Sequence, residues 1–272
     1  MFNTAVMIIV VLVGIGAFFG LILALADKKF AMEVNPLIAE VEEVLPKGQC
    51  GACGFAGCAK YAEAVVENPD VAPNLCVPGK AAVAKKVAEL TGKKAAATEP
   101  RYAELKCRGT LTAAVMAANY EGITDCAAAK LIQGGPKGCK YGCIGFGNCV
   151  RACPFGALSM GDDGLPLVDK AVCTGCGKCA ATCPQALIVV QSYNALVQVK
   201  CSSHDKGATA KKLCQNACLG CGLCMRSCEQ GAIKIDKFVA VVDTAKCKDC
   251  PEPKCLEKCP TKAIELVITK QK

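Results

Sequence analysis

The sequence has no tryptophan, one histidine, five tyrosines and eight phenylalanines in 272 residues. A chain so short of large side chains cannot hold ordinary cores together by apolar burial alone, so disulfides or metals are expected to staple it. The one histidine, His204, lies in "SSHDKG" and reads as a solvated loop residue. No Ser–His–Asp set can be assembled around it, and no P-loop or flavin fingerprint is present. The chain therefore lacks a catalytic site for organic chemistry of its own. No basic run interleaved with aromatics occurs, which sets nucleic acid aside.

Charge is missing altogether from residues 1–26, "MFNTAVMIIVVLVGIGAFFGLILALA". Positions 5 to 26 are long enough to cross a hydrocarbon core of about 30 Å as a helix. A cleavable signal would want a basic n-region and a shorter apolar core, so an uncleaved anchor is expected. Lys28 and Lys29 follow directly after Asp27, which places the remainder on the cytoplasmic side by the positive-inside rule. Gly14, Gly16 and Gly20 fall inside the span. No βαβ unit surrounds them, so they are not a dinucleotide loop; Gly16 and Gly20 suit close approach of a second helix.

What the chain has in abundance is cysteine, 24 residues in all. They fall in C-x2-C runs, which suit gripping one metal centre rather than pairing with distant thiols. The first run, "CGACGFAGC", offers Cys50, Cys53 and Cys58, and a fourth, Cys76, arrives after an amphipathic stretch. Its glycines at 51, 54 and 57 permit the unusual φ values that a loop around a cluster needs. Zinc held by four thiolates is the rival here. Ahead of this run, Asn35 and Pro36 read as the N-cap and first residue of a helix.

An internal repeat is the strongest signal. "CVRACPFGALSM", "CAATCPQALIVV", "CMRSCEQGAIKI" and "CLEKCPTKAIEL" share C-x3-C and then Ala with Leu or Ile; "VDKAVC" and "VDTAKC" precede two copies. Two runs have the C-x2-C-x2-C-x3-C spacing of bacterial ferredoxins, in which the fourth cysteine serves the neighbouring cluster. That crossover predicts four 4Fe–4S clusters. One is held by Cys139, Cys143, Cys149 and Cys183, and its partner by Cys153, Cys173, Cys176 and Cys179. A third is held by Cys218, Cys221, Cys224 and Cys259, and its partner by Cys228, Cys247, Cys250 and Cys255. Gaps are irregular between Cys139 and Cys149 and in "CKDCPEPKC". With the Cys50–Cys76 site the expectation is five clusters. Cys107, Cys126, Cys201 and Cys214 remain, as many as a sixth needs; buried free thiols are the alternative.

The formal charge of +8 counts every cysteine as neutral. A 4Fe–4S core on four thiolates carries roughly −2, so five bring the loaded chain near −2. The basic excess then reads as counter-charge. Lys137, Lys140, Lys206, Lys211 and Lys212 are candidates for steering an acidic partner; a solvated face is the other reading.

The expected fold is α+β. It comprises an anchor at 1–27, a small helical iron–sulfur domain at 28–97 and a connector at 98–138. A bacterial-ferredoxin-like module at 139–198, a connector at 199–213 and a second such module at 214–272 follow.

The apolar N-terminal helix, "CGACGFAGC" with its distant fourth cysteine, and the two ferredoxin-like pairs together resemble the B subunits of Rnf complexes, the ion-translocating ferredoxin:NAD+ oxidoreductases. The resemblance covers essentially the whole chain. It implies reduced ferredoxin as electron donor, partners that include other membrane subunits and flavin-bearing subunits, and a Na+- or H+-translocating assembly in the cytoplasmic membrane. It implies an electron-transfer subunit, which the apolar helix makes single-pass. Because Cys50 follows Ala26 by only 24 residues, electrons are expected to enter at a distal module and leave through the Cys50–Cys76 site. The iron–sulfur subunit of another membrane oxidoreductase, or a Cys-rich redox sensor, is the alternative.

Overall fold

The computed structural model describes residues 2–30, 35–97, 99–193, 196–248 and 250–267. Helix α1 (Phe2–Phe30) contains a 21-residue stretch, Val6–Ala26, of mean hydropathy 3.0, long and apolar enough to cross a membrane. None of that stretch packs on the rest of the chain, and nothing lies near Gly14, Gly16 or Gly20. The side chains of Asp27, Lys28 and Lys29, on which the orientation rests, lie outside the described residues.

A helical unit follows, made of α2 (Pro36–Val44), α3 (Cys58–Glu67) and α4 (Lys80–Thr91). Asn35 caps α2 by accepting a 3.0 Å bond from the Leu37 N–H, and Pro36 opens the helix. Val41, Leu45, Tyr61, Val65 and Val87 are buried together with Cys76. Lys93 donates to the carbonyls of Val65, Asn68 and Val71 at 2.7, 2.7 and 2.9 Å, satisfying acceptors that the end of α3 leaves open.

Two units of mixed helix and strand make up the remainder. In the first, β1 (Arg101–Leu105) pairs antiparallel with the last strand of the unit, β4 (Ile188–Ser192). Between them lie α5 (Cys126–Ile132), α6 (Asn148–Arg151), the hairpin of β2 (Leu158–Met160) and β3 (Pro166–Val168), and α7 (Lys178–Thr182). The second unit repeats the plan. Its outer pair is β5 (Val197–Val199) with β8 (Ile264–Leu266), and its hairpin is β6 (Ile233–Asp236) with β7 (Val239–Val242). Helices α8 (Gly207–Leu213), α9 (Leu223–Arg226) and α10 (Thr244–Cys247) complete it. Each unit therefore opens earlier than the cysteine repeats suggest. Strand β1 lies in the stretch read as a connector, and β5 lies ahead of the boundary drawn for the second module. Strands of three to five residues carry too little pattern to be seen without their partners.

The repeated "VDxAxC" segments have a shared geometry. Asp169 and Asp243 each take a partner across the hairpin, through Ala157 O at 2.9 Å and Ala232 O at 2.8 Å. Their carboxylates then accept from the N–H of Ala171 and Ala245, turning the chain into Cys173 and Cys247. The two cores consist mainly of Ala, Val, Ile, Leu and the cysteines themselves. Isolated two-stranded ribbons over such cores are marginal, so the buried thiols are part of what fills them.

The two units are joined by charge and backbone. Glu104, 8% exposed, meets Lys200 and sits 3.5 Å from Lys170. Arg108 pairs with Glu265 at 3.0 Å, and Val267 joins the first unit's core. Val115 N–H bonds to Leu213 O and Gln215 N–H to Ala113 O, at 2.9 and 2.8 Å.

Candidate metal centres

The helical unit gathers Cys50, Cys53, Cys58 and Cys76. Burial pushes the Cys76 thiol up to about 11, and repulsion from the Cys58, Cys53 and Cys50 thiols adds to the rise. The loop that carries three of them turns through Gly54 at φ +89° and is braced by Gln49, whose side-chain oxygen accepts from the Cys58 N–H at 2.9 Å.

The second unit gathers two further quartets. Cys218, Cys221, Cys224 and Cys259 line one apolar pocket, and Cys228, Cys247, Cys250 and Cys255 line a second pocket. The sulfurs of Cys228 and Cys259 each accept from the N–H four residues on, Ala232 at 3.3 Å and Ala263 at 3.2 Å. In the first unit Cys183 accepts from Leu187 in the same way at 3.5 Å. Cys153, Cys173, Cys176 and Cys179 also come together. Burial raises the Cys179 thiol to about 12, with Cys173 and Cys176 as its nearest like charges, and Cys176 rises through burial and then repulsion from Cys50 and Cys153.

One expected grouping is corrected. Cys139 does not stand with Cys143, Cys149 and Cys183. Cys126 takes that place, and Cys126, Cys143, Cys149 and Cys183 line one pocket. Burial lifts Cys149 to about 11, with Cys183 and Cys126 as the thiols repelling it. Cys139 instead stands with Cys107, Cys201 and Cys214 around another pocket.

The reason is a substitution within a shared loop shape. "CTGCGKC" (173–179) and "CLGCGLC" (218–224) turn through paired glycines at φ +72° and +79°, and +63° and +71°. "CIGFGNC" (143–149) makes the same turn, with φ +97° at Gly145 and +71° at Gly147. Phe146 therefore occupies the second cysteine's slot. Arg151 donates to Phe146 O at 2.8 Å as Arg226 does to Cys221 O at 3.3 Å, which fixes the equivalence. Phe146 stacks on Tyr120 instead, with ring centres 5.0 Å apart. Helix α5 delivers Cys126 to the vacated corner. Asp125 caps α5 through the N–H groups of Ala127 and Ala128, and Asn148 accepts from the Cys126 N–H at 3.0 Å. Aligning the three loops in the sequence would have exposed the missing cysteine.

Backbone N–H groups aimed at the sulfurs of Cys183, Cys228 and Cys259 suit the thiolate ligands of an iron–sulfur cluster, whose charge such donors offset.

One other expectation changes. Lys137 is 6% exposed and donates to Gly109 O at 2.7 Å, so it cannot steer a partner from the surface. His204 is exposed, with Nδ1 3.1 Å from Lys237 O and its ring edge-on to Tyr141.

Residues 45–78 match a family described as an Fe-S cluster, and residues 142–188 match the 4Fe-4S dicluster domain. The chain is 57% identical, over 98% of its length and 94% of the relative's, to the B subunit of the proton-translocating ferredoxin:NAD(+) oxidoreductase complex of Clostridium ljungdahlii. It is 43% identical to the B subunit of the ion-translocating oxidoreductase complex of Methanosarcina acetivorans, over 95% of this chain and 97% of that one. Identity is 39% to the B subunit of the Na(+)-translocating ferredoxin:NAD(+) oxidoreductase complex of Acetobacterium woodii, over 96% and 78%.

Proposed function

The chain belongs to the family of B subunits of ion-translocating ferredoxin:NAD+ oxidoreductase (Rnf) complexes, and on that premise we propose that it carries electrons from reduced ferredoxin to the complex's membrane and flavin-bearing subunits. It is a membrane-associated iron–sulfur electron-transfer subunit of an oxidoreductase. In our reading the two mixed units are bacterial-ferredoxin-like modules, and the ligands are the quartets as the fold groups them. The part beyond the anchor lies in the cytoplasm.

The observation that carries this reading is that thiols of successive quartets lie beside one another. Cys255 has Cys224 among the thiols repelling it, linking the two quartets of the second unit. Cys179 has Cys149 among its neighbours, linking the two of the first. Cys176 faces Cys50 of the helical unit, where Lys178 also reaches Gln49 O at 3.5 Å. That helical unit is the one that follows the membrane helix directly in sequence. When bound, 4Fe–4S clusters supply one-electron carriers at these points. The protein's own work is to hold the thiols, exclude water around them and aim N–H groups at the sulfurs.

Replacing Cys53 by Ala in the assembled complex tests this. Ferredoxin should still reduce the distal sites while ferredoxin-dependent NAD+ reduction stops. Undiminished NAD+ reduction would rule the order out.

A further inference from the structure

Lys137 is a buried cation without a carboxylate partner. It is 6% exposed and lines the pocket around Cys107, Cys139, Cys201 and Cys214, at the joint of the two mixed units. Two other cations line that pocket, and each has its carboxylate: Arg108 meets Glu265 at 3.0 Å, and Lys200 meets Glu104. Among the described residues no carboxylate lines the pocket itself, and the ammonium of Lys137 has only the Gly109 carbonyl, at 2.7 Å. An ammonium taken out of water is costly unless an anion meets it.

The burial is built from the backbone. Residues 115–117 and 136–138 pair as a short ladder, with Ala117 N–H on Pro136 O and Gly138 N–H on Val115 O, each at 2.8 Å. The repeat does not impose it. Cys139 precedes Cys143 by four residues, as Cys214 precedes Cys218, so Lys137 corresponds to Lys212. Lys212 is exposed.

What the charge faces is sulfur. The Gly109 peptide takes the Lys137 bond on its carbonyl and donates its N–H to the Cys107 sulfur at 3.4 Å. A Cβ placed on Gly109 would lie 3.6 Å from the Cys107 sulfur and 3.7 Å from the Cys214 sulfur. Two quartets meet at this point, because the Cys143 N–H also donates to Cys107, at 3.4 Å. Both feel the lysine. Burial pushes the Cys143 thiol up to about 12 and Cys107 adds to the rise, while Lys137 opposes it. Burial likewise raises Cys214, with Lys137 among the groups that act against it.

A one-electron carrier gains one negative charge each time it is reduced, and its potential follows the net charge around it. A fixed positive charge in a site mostly closed to water favours the reduced form more than the same charge would in solvent. We propose that Lys137 is a potential-setting residue: its buried charge raises the midpoint potential of the cluster at the joint and, with it, that of the adjoining Cys126–Cys183 site. The electron it favours there comes from the neighbouring cluster, which is oxidised by one, and in the first place from reduced ferredoxin. The inference rests on the reading that the quartets bind clusters.

Redox titration of the full chain, purified without air and followed by EPR, tests this in Lys137→Met, Lys137→Gln and Lys137→Arg. The Met and Gln variants should keep the wild-type iron content, and one or two of the titrating components should move to lower potential while the others stay. The Arg variant, which keeps charge and donor, should titrate as the wild type does. Unchanged potentials in the Met and Gln variants would overturn the proposal. So would an equal shift in all three, which would make the lysine a packing element. Iron lost from the Met and Gln variants would make it a structural part of the site and overturn the tuning as well. A wild type free of iron would instead sink the underlying reading.

Discussion

The two mixed units share strand order, hairpins and the bonds that position their cysteines, yet they differ in one loop slot, Phe146 in the first and Cys221 in the second. They differ too in what precedes that loop. About 31 residues separate Cys107 from Cys139, against about 12 between Cys201 and Cys214. The surplus carries α5 and Cys126. A corner of the quartet lost from the loop is thus filled from a helix, held by Asp125, Asn148 and Arg151. The fold keeps the set of four thiols, not the motif that usually supplies it.

The sharpest way to break this comparison is to move the ligand back. Cys126→Ala should cost about four iron atoms per chain, and adding Phe146→Cys should restore them by giving the first unit the second unit's loop. Cys221→Ala should cost the same number without a neighbouring helix to rescue it. Iron analysis at equal far-UV signal checks all three; full iron in Cys126→Ala would contradict the regrouping.

Next comes the joint between the units. Glu104→Gln removes the carboxylate that two lysines share at a site mostly closed to water. Lys200 would keep only Glu265 at 3.9 Å and the Leu105 carbonyl at 3.2 Å, so the loss should cost about 1–3 kcal/mol, read as a lower denaturant midpoint. An unchanged midpoint would show that the Glu104 carboxylate adds nothing to the joint.

Glycine substitutions give a smaller, graded contrast. A Cβ on Gly175 or Gly220 would meet the Arg101 or Phe238 carbonyl oxygen at 2.5 and 2.6 Å, with φ of +72° and +63°. Gly156 and Gly231 share the positive φ but have nothing within 4 Å. Alanine should cost about 1 kcal/mol at the open pair and about 2–3 at the crowded pair, measured by the same denaturation. Equal losses would mean the carbonyls yield. The smallest effect belongs to the helical unit, where Tyr61→Phe loses a 3.0 Å bond to Ala72 O and should cost about 1 kcal/mol. No change in midpoint would mean that water replaces Ala72's lost partner.

The cysteine positions and the apolar first helix were legible because both are carried by spacing and composition. Asn35 and Pro36 announced α2 for the same reason, a local rule with a local cause. What escaped was non-local. Strands β1 and β5 are defined by partners more than 60 residues away, and nothing in "RYAEL" or "VQV" names them. Nearness in sequence misleads for Cys126 and Cys139, because a helix start and the fold of two units decide their company. Lys137 reads as surface charge because burial of a lysine against a carbonyl leaves no mark in composition.

The most direct test of the account is the Mössbauer spectrum of the iron-57-enriched full chain, purified without air. The thiol quartets should yield a spectrum in which all iron is in 4Fe–4S form. Zinc in place of iron, iron bound as single ions, or a colourless chain that is still folded would contradict it.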